Sequence, residues 1–444
     1  MMAQFDKLRT LYAFLHHRHV GRDEIVAFQN KRLRSLVAHA YENVPYYRKL
    51  FDRNGLKPQD IKTVDDLSAI PITSKKDLQS VPPREVVARG VDPEHLIVHA
   101  TSGSSGEPSI IRRTWLEERL LGAFRVRAMH YLGLRMRDKT AIIVLTRPTQ
   151  PRDNQLALQT LQALGLYRNV RIDCRSSPQE IVSALQDYLP SCLCGFPNVL
   201  SRCAQMLADN NDISVRPRFV VTRSEVLTPL MQHQIVEGFR APVFEGYGSH
   251  EFNLIAWECK QTGELHTCDD SMIVEVLRNG VSAKEGERGE VVGTGLHSFA
   301  MPFIRFRLGD VVTKGSETCS CGHPYSTIRK VQGRMIDYFP LPGGRLIHPY
   351  EIVALLLDDV VPVIRQYQLV QERADRIILR AVPSNTFSAQ RLTSIEKSVK
   401  TLLGPDVEFR VALVPDIDPE TSGKFRVSRS LVHSAYDGID WNHA

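Results

Sequence analysis

The stretch Thr101-Ser102-Gly103-Ser104-Ser105-Gly106-Glu107-Pro108 constrains this chain more than any other. Glycine, serine and proline disfavour helix interiors and strands alike, so the segment reads as a loop. Hydroxyls and backbone N–H groups crowded along one loop suit an anion, and a polyphosphate is the usual anion. The Walker pattern, Gly-Lys followed by Ser or Thr, is absent, so phosphate held here is held in another manner. The same composition also describes a flexible Ser/Gly linker. The flanking chain has to separate the two readings.

Residues 1 to about 90 read as a mainly helical lead. Ile25, Phe28, Leu33, Leu36, Val37 and Ala40 recur at helical spacing, and Pro45 breaks the pattern. Asn54-Gly55 is a helix stop, and Thr63 and Thr73-Ser74 are capped helix starts. From about residue 97 strand and helix patterns alternate, which predicts an α/β fold with a mainly parallel sheet. The Thr101 loop falls between the strand patterns at Leu96–His99 and Ser109–Arg113. Ligands in such folds gather at strand ends. Residues 335–444 read as a separate small α/β unit, so the expected division is a large N-terminal α/β domain over 1–334 and a C-terminal domain over 335–444.

Bulk properties exclude several classes. The 444 residues are 43% hydrophobic and 24% charged, an ordinary globular composition. The net charge of +6 is spread over 56 basic and 50 acidic residues. That excess suits an anionic small molecule and lacks the clustered basic face of a nucleic-acid binder. No apolar run reaches the roughly 18–20 residues of a membrane span, and the N-terminus lacks a signal-peptide pattern. The expectation is a cytoplasmic protein with neither nucleic acid nor membrane as partner. The eight cysteines then need no disulfide framework. Cys174, Cys192, Cys194 and Cys203 read as small buried hydrophobes. Cys259, His266, Cys268, Cys319 and Cys321 offer five ligands to a metal that wants four, zinc, with unliganded thiols as the alternative.

Two later loops follow apolar stretches. In Glu245-Gly246-Tyr247-Gly248-Ser249-His250-Glu251, a tyrosine ring could stack on a base and Glu251 could hold a phosphate-bound metal. In Phe306-Arg307-Leu308-Gly309-Asp310, Asp310 is either a turn former or an acceptor for ribose hydroxyls.

These loops together resemble the AMP-forming, adenylating superfamily. Thr101–Pro108 is similar to its phosphate-binding signature, Tyr247-Gly248-Ser249-His250-Glu251 to its Tyr-Gly-x-x-Glu motif, and Arg307-Leu308-Gly309-Asp310 to its Arg-x-Gly-Asp motif. Gly333-Arg334 resembles the start of the hinge motif, and Gly423-Lys424 the C-terminal motif with the catalytic lysine. Within the superfamily the chain resembles the phenylacetate-CoA ligase branch over nearly its whole length. Tyr41–Arg48, Ile70–Leu78 and Cys319-Ser320-Cys321-Gly322 carry that likeness, while Leu341–Arg345 and Gln371 add a likeness to capsular polysaccharide biosynthesis-type members. Departures fall at Met335-Ile336-Asp337, at Gly344–Pro349 and at Arg223-Ser224-Glu225, where the branch usually reads Gly-Ala-Glu.

The resemblance implies an enzyme that activates an aromatic or arylacetic carboxylic acid with ATP and Mg²⁺ and passes the acyl group to coenzyme A. An amine or a carrier-protein thiol is the alternative acceptor, and a non-catalytic zinc-stabilised binding protein is a further reading, against which Lys424 and Glu251 argue. By carry-over, Thr101, Ser102, Gly103, Ser104, Ser105 and Gly106 hold phosphates, Glu251 holds Mg²⁺, and Asp310 grips the ribose. Glu225, Tyr247 and Gly248 line the nucleotide, Arg334 braces it, and Lys424 is catalytic rather than merely solvated. His130, Tyr131, Phe196, Pro197 and Tyr247 are the expected walls of the acid pocket. The branch's zinc-containing members suggest structural Zn²⁺ on Cys259, His266, Cys319 and Cys321, with Cys268 as the alternate to His266. The C-terminal domain is then a mobile lid, and a homodimer is one expected assembly.

Overall fold

The computed structural model describes residues 21–100, 110–146, 160, 162–334, 338–349, 351–352, 355, 364–385, 387, 389–420 and 423–432. The chain forms two compact units, Met1–Leu134 with Glu245–Val331, and Arg135–Phe244 with Gln332–Ala444. The architecture is mixed α/β, with a large N-terminal part and a small C-terminal sheet. Among the described residues no helix is long and apolar enough to cross a membrane.

The first described helix of this unit is Arg22–Asn43, whose buried Ile25, Leu33, Leu36, Val37 and Ala40 form one apolar stripe. Pro45 at the start of helix Pro45–Arg53 forces the break, because Val44 before it must be extended. Thr63 and Ser74 each sit in a capping box with Asp66 and Asp77, as their spacing predicts. The strands Ile97–Ala100 and Ile110–Arg113 pair antiparallel, with Ala100 opposite Ile110. Thr114 then caps the helix Trp115–Tyr131.

The alternating α/β pattern does not continue through this unit. Residues 256–334 instead form antiparallel strands: Ala256–Glu258, Leu265–Thr267, Met272–Arg278, Arg288–Gly295, Phe306–Lys314 and Thr327–Arg334. Their usual signature, apolar–polar alternation, is missing for a physical reason. Arg288–Gly295 is buried on both faces from Gly289 onward, so no polar period survives. At Gly293 a Cβ would lie 2.7 Å from the Phe252 ring, so the strand is locally fixed to glycine. The apolar run Phe299–Ile304 is not a strand. Its carbonyls at Ala300 and Phe303 accept from Ala88 and Gly295, and the Tyr47 hydroxyl donates to Pro302.

The second unit carries the parallel strands Asn169–Asp173, Thr140–Val144, Cys192–Gly195 and Phe219–Arg223, in that spatial order. The helices Pro178–Tyr188, Pro197–Asp209 and Pro229–Phe239 all start on proline, which loses no intrahelical bond there. Cys174, Cys192, Cys194 and Cys203 are buried and are not joined in disulfides. Toward the C-terminus a four-stranded sheet runs Glu408–Leu413, Arg376–Pro383, Ile364–Arg373, Ser428–Ser430. Helix Ala389–Leu403 packs on it through Ile395, Val399 and Leu403.

Candidate active site and metal centre

In the first unit the Tyr247 and Asp310 motifs meet. The Tyr247 hydroxyl donates to Asp310 Oδ2 at 2.7 Å. Tyr247 ends the strand Val243–Tyr247 and is buried. Asp310 lies inside the strand Phe306–Lys314, not at a turn. The register against Arg288–Gly295 breaks there: Arg307 faces Val292 and Val311 faces Glu290. Gly309 takes φ +78° within this bulge. A bulge of this kind re-aims a side chain, here Asp310 toward the tyrosine.

Glu251 belongs to a tight loop. Asn253 N–H donates to the Ser249 carbonyl at 2.9 Å, and Ile255 N–H to the Tyr247 carbonyl at 2.9 Å. A Cβ on Gly248 would stand 2.1 Å from the Asn253 carbonyl oxygen, so only glycine fits. Burial, and then the nearby Asp310 carboxylate, push the Glu251 carboxyl above its usual range, while Ser249 and Arg113 oppose the shift. Two like charges close enough to disfavour ionisation of one of them favour a cation beside them.

Sequence reasoning missed the groups behind this loop. Arg113, 2% exposed, donates through Nη2 to the His250 carbonyl and, at 2.8 Å, to the Glu251 carbonyl. Its Nη1 donates to Glu118 Oε2 at 3.1 Å, and His99 Nε2 reaches the same oxygen at 3.0 Å. Burial works against ionisation of Glu118, but His99 and Arg113 together hold it at about 2. The available signal was the pair Arg112-Arg113 on a short strand just after the Gly/Ser loop. A strand sends such neighbours to opposite faces, so one of the two must point inward.

In the second unit Glu225 and the Lys424 loop meet. Glu225 Oε1 accepts from Phe425 N–H at 2.6 Å, and Oε2 accepts from Asn198 N–H at 3.2 Å at the start of helix Pro197–Asp209. Desolvation pushes the Glu225 carboxyl up to about 7, opposed by these two N–H groups and by the charge of Lys424. The turn before Lys424 is tight. Gly423 N–H donates to the Glu420 carbonyl at 2.7 Å, and Glu420 N–H to the Lys424 carbonyl at 2.8 Å. Gly423 has φ +76°, and a Cβ there would stand 2.4 Å from Cys174 Sγ.

The metal candidates gather in the first unit. One ligand atom from each of Cys259, His266, Cys319 and Cys321 lies within 4.8 Å of the others. Cys259 Sγ and Cys319 Sγ are 3.9 Å apart, and Cys321 Sγ is 3.3 Å from His266 Nε2. A tetrahedron with metal–sulfur bonds of about 2.3 Å has edges of about 3.8 Å, so the spacing fits zinc. Burial, and then His323, hold the His266 imidazole at about 3, leaving its lone pair available. Cys268 stands elsewhere, with Asp270 Oδ1 at 3.7 Å and Arg127 beside it.

The remaining expected residues scatter. His130 is exposed and bonds the Leu134 carbonyl at 2.7 Å. Tyr131 lies over the cysteine cluster, its hydroxyl 3.6 Å from Cys259 Sγ. Phe196 and Pro197 are buried at the start of their helix. Thr101, Ser102, Gly103, Ser104, Ser105 and Gly106 lie outside the described residues. So does the hinge segment Met335–Asp337, and Arg334 is described only as the last residue of its strand.

Over 377 residues, 79% of each chain, the sequence is 29% identical to the phenylacetate-coenzyme A ligase of Thermus thermophilus. The chain is thus similar to the phenylacetate-coenzyme A ligases over most of its length. Over 425 residues it is also 23% identical to protein CapK of Staphylococcus aureus, covering 91% of this chain and 89% of that one. Residues 343–430 match the family model described as CapK C-terminal domain. A solved 2-hydroxyisobutyryl-CoA ligase, in a postadenylation state with R3-HIB-AMP, matches with a TM-score of 0.78 at 22% identity, covering 93% of this chain and 91% of that one. The chain thus shares the fold of that ligase.

Proposed function

We propose that this chain activates a carboxylic acid with ATP and passes the acyl group to coenzyme A as a thioester. A carboxylate oxygen attacks the α-phosphorus, and pyrophosphate leaves as the α–β bridge bond breaks. The coenzyme A sulfur then attacks the acyl carbon of the adenylate, and AMP leaves. The observation that carries the reading is the Tyr247–Asp310 hydrogen bond beside Glu251. It joins two motifs some sixty residues apart in the sequence into one acidic, aromatic corner suited to a nucleotide.

Asp310 accepts from the ribose hydroxyls, and Tyr247 flanks the nucleotide while keeping Asp310 aimed. Glu251 holds the Mg²⁺ that neutralises the phosphates when bound. Thr101 to Gly106 supply hydroxyl and N–H donors to the β- and γ-phosphates. Lys424 meets charge building on the carboxylate and α-phosphate, where a preorganised cation acts most strongly. Glu225 seats the Lys424 loop through Phe425 N–H. Cys259, His266, Cys319 and Cys321 hold a structural Zn²⁺. Residues 335–444 act as the lid that brings Lys424 in for the first step and withdraws it for the second.

An aromatic or arylacetic acid is the substrate class favoured, on homology to phenylacetate-coenzyme A ligases. A second reading, with an amine or carrier-protein thiol as acceptor, draws on the match of residues 343–430 to the CapK C-terminal domain. The test is carboxylate-dependent pyrophosphate release from ATP over a panel of aryl and alkyl acids, with and without coenzyme A. Release that needs one acid and accelerates with coenzyme A supports the first reading. Release indifferent to coenzyme A favours the second, and no release from any acid overturns both.

A further inference from the structure

The Arg113 side chain is an expensive feature that the proposed reaction does not yet use. It is charged, 2% exposed, and its Nε–H has no hydrogen-bond partner among the described residues. Burying a guanidinium with one donor unmet costs free energy. Its bonds go to specific places: two successive backbone carbonyls, of His250 and Glu251, and the Glu118 carboxylate. Those two carbonyls are polar groups within the loop that presents Glu251. With both pointed at one planar guanidinium, the peptide planes around Glu251 lose their rotational freedom. The direction of the Glu251 Cα–Cβ bond is then set.

The anchoring continues behind Arg113. Glu118, on the helix Trp115–Tyr131, takes a second bond from His99 Nε2 at 3.0 Å. His99 lies in the strand Ile97–Ala100, and Arg113 ends its antiparallel partner, opposite Ile97. The two strands pair antiparallel and flank residues 101–109 in the chain. One carboxylate therefore ties both strands together, and the guanidinium extends the tie to the Glu251 loop. A lysine could not replace it, since one ammonium lacks the planar fork that reaches a carboxylate with one arm and two carbonyls with the other.

We infer that Arg113 is a positioning residue for Glu251, fixing this carboxylate, and the register of the strand pair beside it, for the divalent cation that accompanies ATP. The inference rests on the reading of Glu251 as the protein ligand of that cation. Arg113 touches neither nucleotide nor metal. It acts through the peptide groups of His250 and Glu251, as outer-shell partners of metal ligands do.

The test is pyrophosphate release titrated with Mg²⁺ at saturating ATP and acid, on wild type, R113A, R113K and E251Q. Loss of an outer-shell partner typically costs about 10- to 100-fold in metal affinity or activity, so R113A should raise the half-saturating Mg²⁺ concentration about tenfold, with the KM for the acid unchanged. R113K should fall between R113A and wild type, and added guanidinium should partly restore R113A. The double variant R113A/E251Q should be no weaker for Mg²⁺ than E251Q alone. A folded R113A, or R113K if R113A does not fold, with wild-type Mg²⁺ half-saturation overturns the inference. If E251Q also keeps wild-type Mg²⁺ dependence, the metal role of Glu251 fails as well. If E251Q shifts and the Arg113 variants do not, only the positioning role fails.

Discussion

Glu225 shows how one carboxylate can carry more than its motif suggests. Both its oxygens are used, one by Phe425 N–H and one by Asn198 N–H. Desolvation raises its carboxyl from an ordinary 4.5 to about 7. The folded chain therefore holds this proton more tightly than the unfolded chain. The stability it contributes is present in full below about pH 4.5 and is lost as pH rises through about 7. Function runs the other way. A protonated carboxyl keeps only one good acceptor, so the clasp on Phe425 and Asn198 is complete only when Glu225 is ionised. Pyrophosphate release should rise with pH through about 7. Glu225→Gln should remove that limb and lower the rate about tenfold, the effect of about 1.4 kcal/mol from one lost hydrogen bond to a charged group. A pH–rate profile of kcat/KM on the two proteins measures both, and an unchanged limb in the variant would assign it to another group.

At the scale of elements, two glycines separate stability from activity. A Cβ on Gly238 would lie 2.2 Å from the Ala204 carbonyl oxygen, where helix Pro229–Phe239 crosses helix Pro197–Asp209. Gly238→Ala should cost about 2–3 kcal/mol by overpacking, visible as a lower thermal midpoint. Gly423→Ala meets the sulfur of buried Cys174 in a buried turn at positive φ. It should lower the midpoint as well, at a cost of about 1–3 kcal/mol, and in addition displace Lys424 and cut adenylation about tenfold or more. The cysteine cluster joins two elements in the same way. Cys259 directly follows the strand Ala256–Glu258 and His266 lies within its antiparallel partner Leu265–Thr267, while Cys319 and Cys321 precede Thr327–Arg334. Purified protein should carry about one zinc per chain. Chelation should lower the midpoint by roughly 10 °C, since structural zinc binding is folding free energy. Metal analysis with calorimetry checks this, and absence of zinc would leave four reduced thiol and imidazole groups to be explained by packing alone.

At the scale of the molecule, the two half-reactions proposed above make different demands on Lys424. Lys424→Ala should reduce acid-dependent pyrophosphate release by about a hundred- to a thousandfold, the usual loss for one preorganised charge. On the proposed lid motion, the same variant should still form thioester when supplied with preformed acyl-adenylate, since the lysine would be withdrawn for that step. Equal loss of both half-reactions would contradict a lid that alternates between two tasks.

How far the chain explains itself differs by level. Sequence alone determined the helical lead, because Ile25 to Ala40 repeat at helical spacing and Pro45 forbids its continuation. It determined the capped starts at Thr63 and Ser74, where spacing of three residues brings hydroxyl and carboxylate onto one turn. It also determined the fold class and the kinship with ligases, since short motifs keep their residues wherever the chain places them. Only the tertiary structure decided the antiparallel strands of residues 256–334. Burial on both faces had erased the alternation that would have announced them. It decided that Asp310 sits on a bulge facing Tyr247, and that Cys268 stands apart from the other cysteines. It alone brought Arg113 beneath Glu251 and Phe425 onto Glu225, across 138 and 200 residues of chain. Contacts of that range leave no local period or spacing in the sequence. They exist only once strands and turns have fixed where each backbone N–H and carbonyl points.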